Sequence, residues 1–561
     1  MKVGDRLVEL LVEHGVEYVF GVPGGQTLPL YAGILRSDGR IAHVLMRDER
    51  SAGYAADAYA RLRGRAGACD ATVGPGATNL VSPLAEAWAS SVPLLAIISD
   101  IPRAWEHRRV RGNASQALRQ LEIFSTISKW QTTLNDPAAV DNVVDAALRV
   151  ATTGRPGPVV LCVPEDVGHA AVPDGALRRR ARSGVYPQHR PAPDPEALGE
   201  AARLIREARR PALLVGGGAL ASGAGREVRA LAEYLQAPVT TTITGKGIME
   251  ETHRQVYGVT GSMGNPVSNQ IVTEADLVLF IGCKAGQLAT FGYDAPKAGV
   301  PTIHLDIDPE EIGRNFAGSV PLVADARSGV TALLRVLGPE RPATTWDHED
   351  MGRRLQDWYR VETAVPPGQE EPLRPQLVMD LVNQAATEDD LVVCDASLAS
   401  GWVAVYYRAR TAARQYLAPR GLAGLGWGAP AAIGASMADG RKHRVLLFAG
   451  DGGFAYSVQE LEVMARLELP VVAVLFNNDT LAWMKHVEKK RLGGRYISTD
   501  FRHVDFATVA RGFGARGYTV RTSAELAAAL AQERTPRGPA VIDVATDQWS
   551  TPVLRFSSAG E

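Results

Sequence analysis

A chain of 561 residues is too long for one hydrophobic core and calls for roughly three domains of ordinary size. With 46% hydrophobic and 22% charged residues it has a soluble globular composition, and Lys+Arg 60 against Asp+Glu 62 leaves no charge excess of the kind that binds nucleic acid or an anionic membrane. The four cysteines, Cys69, Cys162, Cys283 and Cys394, stand far apart in mostly apolar runs, which excludes metal-ligand or disulfide spacing and implies buried thiols in a reducing compartment. The first residues read directly as an amphipathic helix and a strand without a signal-peptide core, and no run of about 18 apolar residues occurs, so the expected location is cytoplasmic.

From Met1 to about Pro164 strands and helices alternate: EYVFG, a helix near Leu28 to Leu35, HVLM, a helix from Ser51 to Arg63, ACDATV, then Gly74-Pro75-Gly76-Ala77-Thr78-Asn79 opening another helix. The strand LLAIIS, a long connection and the strand GPVVLCVP follow, a doubly wound parallel-sheet pattern. A Pro- and Arg-rich stretch from about Gly168 to Pro195, with Arg178, Arg179, Arg180 and Arg182, reads as a solvated linker. A second α/β domain holds ALLVGGGAL, a helix from Gly225 to Leu235, APVTTTITGKG, ADLVLFIGCKAG and PTIHLDID. Its Gly216-Gly217-Gly218 suits either a phosphate or a tight strand-to-helix turn. The polar segment from Gly338 to Pro375, with Pro342, Pro366 and Pro367, reads as a second linker.

The third domain contains DLVVCDAS, GLAGLGWGAPAAIGASMADG, and then the most informative stretch of the chain. There an apolar strand from Val445 to Phe448 runs into Gly450-Asp451-Gly452-Gly453, a helix, a second apolar strand from Val471 to Phe476, and Asn477-Asn478. Both loops fall at carboxyl ends of parallel strands, where ligands bind in α/β sheets. A carboxylate from Asp451, an amide oxygen from Asn478 and a backbone carbonyl beyond the strand suit a hard divalent cation, while Gly450 and Gly452 let the backbone approach a phosphate. ARGFGARGYTV and PAVIDVAT close the domain, and the tail from Gln548 carries Trp549 and Phe556, compatible with packing on a neighbouring surface or with disorder. The expected fold is α/β with three doubly wound parallel-sheet domains, at residues 1–167, 191–340 and 371–547.

Four stretches together resemble the acetohydroxyacid synthase (acetolactate synthase large subunit-like) branch of thiamine diphosphate enzymes. They are FGVPGG; RDERSAGYAADAYAR with GPGATNL; TTITGKGIMEETH with HLDIDPEEIGRN; and GLAGLGWGAPAAIGA with GDGG and NN. The resemblance implies pyrimidine-binding, central and diphosphate-binding domains, and a homodimer or homotetramer in which the first domain of one subunit meets the third of its partner. Glu49 matches the glutamate that hydrogen-bonds the pyrimidine nitrogen of the cofactor; a helix-start carboxylate is the simpler reading of the same residue. Asp451, Asn478 and the carbonyl of Thr480 match the Mg²⁺ ligands, with Gly450, Gly452 and Gly453 at the diphosphate.

Leu425, next to Gly424, falls where the family places the apolar residue under the bent cofactor, although a core leucine reads equally well. Gln116 matches a glutamine beside the reacting centre or else a polar residue on a helix surface, and Gly25 allows close approach to the cofactor. The implied activity is decarboxylation of a 2-oxo acid, pyruvate first, with transfer of the remaining acyl unit to a carbonyl acceptor. Lyase or simple decarboxylase chemistry is the alternative, followed by a non-catalytic cofactor-binding subunit.

The chain also departs from the family. Asp48 precedes Glu49 where many relatives have histidine, and Val487 stands at the place of the tryptophan that selects a larger acceptor. GCKAGQLATFGYD lacks the Arg-Phe-Asp-Asp-Arg pattern that holds FAD, and Leu398-Ala399-Ser400 replaces a Gly-His-Gln at a diphosphate loop.

Overall fold

The computed structural model describes residues 1–173, 184–340, 343–365 and 371–553. The Arg178, Arg179, Arg180 and Arg182 cluster, Pro342, Pro366, Pro367 and Phe556 lie outside these residues. The described chain forms three six-stranded sheets in which every strand pairing is parallel. Most strands are buried on both faces, which is why they read as near-continuous apolar runs rather than as alternations.

The first sheet consists of β1 (Tyr18–Gly21), β2 (Ala42–Leu45), β3 (Gly67–Ala71), β4 (Leu94–Asp100), β5 (Trp130–Thr133) and β6 (Pro158–Pro164), in the order β2-β1-β3-β4-β6-β5. The chain winds outward from β1 to β2 and then crosses back to β3, so the switch point lies between the loops that leave β1 and β3. This sheet belongs to a compact unit of Met1–His189, Pro419–Lys442 and Ser457–Leu469. Within the unit the helix Glu49–Arg63 packs along the helix Gly428–Ala438. Small residues make that approach possible: a Cβ built on Gly434 would sit 2.0 Å from the carbonyl oxygen of Ala55.

The second unit contains the other two sheets. β7 (Pro211–Val215), β8 (Val239–Thr241), β9 (Val256–Val259), β10 (Leu277–Ile281), β11 (Thr302–Asp306) and β12 (Val320–Val323) run in the order β12-β11-β10-β7-β8-β9. β13 (Leu391–Cys394), β14 (Tyr416–Leu417), β15 (Val445–Gly450), β16 (Val471–Asn477), β17 (Arg516–Val520) and β18 (Ala540–Ala545) run in the order β14-β13-β15-β16-β18-β17. The third sheet therefore switches between β13 and β15, and Asp451 begins the helix that follows β15 directly.

The second sheet switches between β7 and β10. There the Gly216-Gly217-Gly218 turn is packed against the other loop, since a Cβ on Gly216 would fall 2.2 Å from the Gly282 carbonyl oxygen. The helix that follows, Gly217–Ser222, is only six residues long. These glycines serve loop-on-loop packing, the tight-turn reading of the sequence.

The segment read as a second linker contains a 16-residue helix, His348–Thr363. Asp347 caps it by accepting from the N–H groups of Glu349 and Asp350. Met351, Leu355, Trp358 and Tyr359 form a narrow apolar stripe at helical spacing, hidden in sequence by the charges between them. The long connection before GPVVLCVP likewise holds the edge strand β5. All four cysteines are buried and free. Among the described residues no helix is long and apolar enough to cross a membrane.

Candidate active site

Candidate residues gather at two places, one in each compact unit. In the first, Asp48 is the N-cap of the helix Glu49–Arg63, extended at φ −160° and accepting from Arg50 N at 2.7 Å, so Glu49 becomes the first helical residue at the carboxyl end of β2. Asn79 Nδ2 donates to Glu49 Oε2 at 2.9 Å. A Cβ on Gly76 would come within 3.0 Å of Glu49 Oε1, so glycine lets the 74–79 turn close on the carboxylate. Thr72 Oγ1 donates to Gln26 Oε1 at 3.3 Å, which brings the Gly24-Gly25-Gln26 loop to the same switch point. Gly25 is exposed, and a Cβ built there would meet no protein atom within 4 Å, which leaves an open approach to the loop.

Gln116 stands in a turn and not on a helix, exposed and at φ +64°, with its carbonyl against Gly74. The buried glutamine of this segment is Gln120, which donates to Ser99 O at 2.7 Å and accepts from Gly74 N at 3.3 Å. It therefore holds the turn that carries Gly76 and Asn79. The sequence also did not single out Asp70, a fully buried carboxylate in β3. It accepts from Tyr31 at 2.8 Å and pairs with His43 at 3.0 Å, and the Glu49 charge acts on both Asp70 and Tyr31.

Gly424 and Leu425 lie in this same unit. Leu425 is half-buried on a loop, which sets aside the core-leucine reading. Glu86, unremarked in sequence, accepts from the N–H groups of Gly421, Leu422 and Ala423 immediately before it. Its only sequence signal is a carboxylate at the centre of an apolar helix, VSPLAEAWAS.

At the second place Gly450 caps a five-residue helix that begins with Asp451. Asp451 is buried; its Oδ1 accepts from Gly452 N at 2.7 Å and its Oδ2 from Asn478 N at 3.2 Å. Asn478 Oδ1 is buried without a hydrogen-bond partner. Asp479 adopts φ +57°, and the carbonyl of the next residue, Thr480, accepts from Ala482 N at 2.9 Å. Ser397, at the neighbouring end of β13, is also left-handed at φ +63°. Non-glycine residues at positive φ thus follow two strands of the third sheet, β13 and β16.

Burial pushes the Asp451 carboxyl up to about 6, the N–H groups of Gly452, Asp479 and Asn478 opposing it only in part. A buried carboxylate short of positive charge beside an unpartnered amide oxygen is a donor set for a hard cation. Among the described residues no group of three or more His, Cys, Asp and Glu side chains assembles. A cation here would draw its other ligands from backbone, phosphate and water. In the first turn of the helix after β13, Ser400 Oγ donates to Ser397 O at 2.8 Å.

Three family models match the chain: the N-terminal TPP binding domain of thiamine pyrophosphate enzymes over residues 1–123, their central domain over 198–333, and their C-terminal TPP binding domain over 395–544. A probable acetolactate synthase large subunit of Methanocaldococcus jannaschii is 33% identical over 558 residues, 98% of this chain and 92% of the relative. The acetolactate synthase large subunit of Parasynechococcus marenigrum is 35% identical, over 96% of this chain and 86% of the relative. The acetolactate synthase of Arthrospira platensis is 33% identical, over 96% and 93%.

The chain belongs to the acetolactate synthase-like thiamine pyrophosphate enzymes. Thiamine diphosphate is accordingly its cofactor, and it is an enzyme of the transferase or carboligase type. In this acetolactate synthase-like frame Glu49, Gly25 and Gln116 fall under the N-terminal binding model, while Gly424 to Thr480 fall under the C-terminal one. Val487, half-buried on the helix Ala482–Arg491, belongs to the same C-terminal domain.

Proposed function

We propose that the protein decarboxylates a 2-oxo acid, with pyruvate the first candidate, and transfers the remaining acyl unit to a carbonyl acceptor. The observation that carries the reading is the pairing of the buried Asp451 carboxylate with the unpartnered Oδ1 of Asn478, a ready donor set for Mg²⁺ and, through it, a diphosphate. The carbonyl of Thr480 is the third protein ligand, and Gly450, Gly452 and Gly453 give the backbone access to phosphate oxygens. Thiamine diphosphate, when bound, supplies the nucleophilic carbon and the electron sink for decarboxylation. Glu49 holds or releases a proton at the pyrimidine nitrogen, and Asn79 orients its carboxylate. Leu425 and Gly424 would contact the cofactor, as would Gly25, and Gln116 would stand near the reacting centre.

The chain is read as three domains at residues 1–167, 191–340 and 371–547, acting as a homodimer at minimum. Light scattering of the purified protein checks the assembly; a monomer that turns over at full rate would count against it. No flavin step is assigned, and the purified protein is expected to be colourless; a yellow protein with absorption near the visible flavin band would reverse that.

The reaction is tested by incubating the protein with Mg²⁺, thiamine diphosphate and a panel of 2-oxo acids, with and without keto-acid or aldehyde acceptors, and weighing products by mass spectrometry. Carbon dioxide with a coupled carbon–carbon product supports the proposal. Release of a free aldehyde regardless of acceptor assigns a decarboxylase, and cleavage of a ketol assigns a lyase. Glu49→Gln is expected to lower turnover by about 10²- to 10⁴-fold, the usual worth of a positioned proton carrier, with cofactor affinity nearly kept. Wild-type rates in that variant would reject the role of Glu49.

A further inference from the structure

Glu86 sits at the centre of the apolar helix Val81–Ser90 and is fully buried. A buried carboxylate persists only where donors satisfy it, and here five converge. Oε1 accepts from Arg61 Nη2 at 3.0 Å, Ser90 Oγ at 2.5 Å and Gly421 N at 3.1 Å. Oε2 accepts from Leu422 N at 2.7 Å and Ala423 N at 3.0 Å. Burial alone would push this carboxyl up, but the Arg61 charge, the Ser90 hydroxyl and the loop N–H groups hold it below the usual glutamate range.

Three successive backbone N–H groups aimed at one anion form a nest, a shape in which Ala423 takes the left-handed φ of +59°. The loop is held at its far end too. Arg61 Nε lies 2.8 Å from Asp57, and Asp57 accepts from Trp427 Nε1 at 3.2 Å. Between the two anchors stand Gly424 and Leu425. A Cβ on Gly424 would press within 2.9 Å of the Tyr54 hydroxyl, itself 2.6 Å from Ser82 Oγ. Leu425, half-buried, is thus displayed on a loop pinned on both sides, which is how a binding loop avoids an ordering cost when its ligand arrives.

We propose that Glu86 is a positioning residue for the cofactor: through the N–H groups of residues 421–423 it sets where Leu425 is presented to thiamine diphosphate. The proposal rests on the reading of Gly424 and Leu425 as cofactor contacts. Arg61 lies on the helix that begins at Glu49, so one buried network serves both the glutamate helix and the leucine loop.

The test uses the full-length protein with Glu86→Ala, Glu86→Gln and Leu425→Ala. Fold is checked by far-UV circular dichroism, loop protection by hydrogen exchange of the peptide spanning 420–427, and cofactor affinity by calorimetry with thiamine diphosphate and Mg²⁺. Glu86→Ala is expected to raise exchange at 421–423 at least tenfold and to weaken cofactor binding at least tenfold. Glu86→Gln is isosteric and keeps the helix packed, yet in either orientation its NH₂ faces N–H donors, so it shifts the same two readouts in the same direction. A role confined to stability would lower the melting point without moving cofactor affinity of the folded protein. If Leu425→Ala weakens binding while the folded Glu86 variants stay within twofold of wild type, the proposal falls and the Leu425 reading stands. If Leu425→Ala itself stays within twofold, the Leu425 reading falls and the proposal with it. Should Glu86→Ala not fold, Glu86→Gln decides by the same thresholds. Should neither fold, Ala423→Val, which strains the nest by placing a β-branched residue at the left-handed φ of +59° with Glu86 intact, decides in their place by the same thresholds.

Discussion

Glu49 and Asp451 occupy the same local position, the first residue of a helix that follows a parallel strand, and their surroundings separate their work. Asp451 collects backbone N–H groups in a dry site; Glu49 is half-buried and meets a side-chain amide. Asp451→Ala is expected to cost about 2–5 kcal/mol in Mg²⁺-dependent cofactor binding, the range for deleting one partner of a buried charge pair; calorimetry showing unchanged affinity would reject the cation site. A third carboxylate, Glu460, belongs to the unit that holds Glu49 and is fully buried. Burial pushes its carboxyl up to about 7. Because the folded value lies above the unfolded one, the proton is held more tightly in the native state. The contribution is therefore fully present below about 4.5 and is lost as pH rises through about 7. At about 1.4 kcal/mol per pKa unit this is roughly 3–4 kcal/mol as an upper figure. Glu460→Gln is expected to flatten the fall in apparent urea midpoint between pH 5 and pH 8; a parallel fall in variant and wild type would reject the assignment.

At the scale of elements, small residues govern how closely helices approach. The SAGYAADAYA and GAPAAIGASMA runs allow the helices Glu49–Arg63 and Gly428–Ala438 to meet backbone to side chain, and Gly434 marks the closest point. Gly434→Ala would gain about 1 kcal/mol of helix propensity. The new methyl group, however, would fall 2.0 Å from the Ala55 carbonyl oxygen, and backbone cannot swing aside as a side chain does. Overpacking of about 1–3 kcal/mol is expected to win, lowering the melting temperature; a rise would reject the close contact. The sequence read helices with broad apolar faces and the buried central strands. It missed the helix His348–Thr363, whose narrow apolar stripe is interrupted by charged and polar residues, and β5, a short half-buried edge strand without a continuous apolar run.

At the scale of the whole molecule, buried ion pairs tie distant stretches together. In the second unit Lys246 Nζ, almost fully buried, lies 2.6 Å and 2.7 Å from the Glu251 oxygens and donates to Ala404 O at 3.1 Å. Glu251 also accepts from Ala409 N at 3.0 Å. This joins the GKG turn of the second sheet to the chain after β13. Lys246→Met would strand the carboxylate in an apolar site and is expected to cost about 3–5 kcal/mol by chemical denaturation, with most of it regained in Lys246→Met/Glu251→Met. A loss of under 1 kcal/mol in the single variant would show the pair to be dispensable.

What the sequence determined by itself was set by short spacing. The apolar runs, the glycine turns behind β3 and β15, and the spacing of Gly450-Asp451-Gly452 to Asn477-Asn478 are all local, and they pointed to the α/β fold, the switch-point loops, and the expectation of Asp451 and Asn478 as ligands; for Glu49 they offered a helix-start carboxylate, and its cofactor role came from the family resemblance. The tertiary structure decided what depends on partners far along the chain. The carboxylate of Glu86 meets N–H groups 335 to 337 positions away, and Trp427 meets Asp57 across 370. No periodicity encodes such pairs, because a donor or acceptor placed by a fold is satisfied by whichever residue the packing brings to it, whatever its distance in sequence. That is also why Gln116 and Gln120 were indistinguishable as letters, and only burial told which one holds the Gly74 turn.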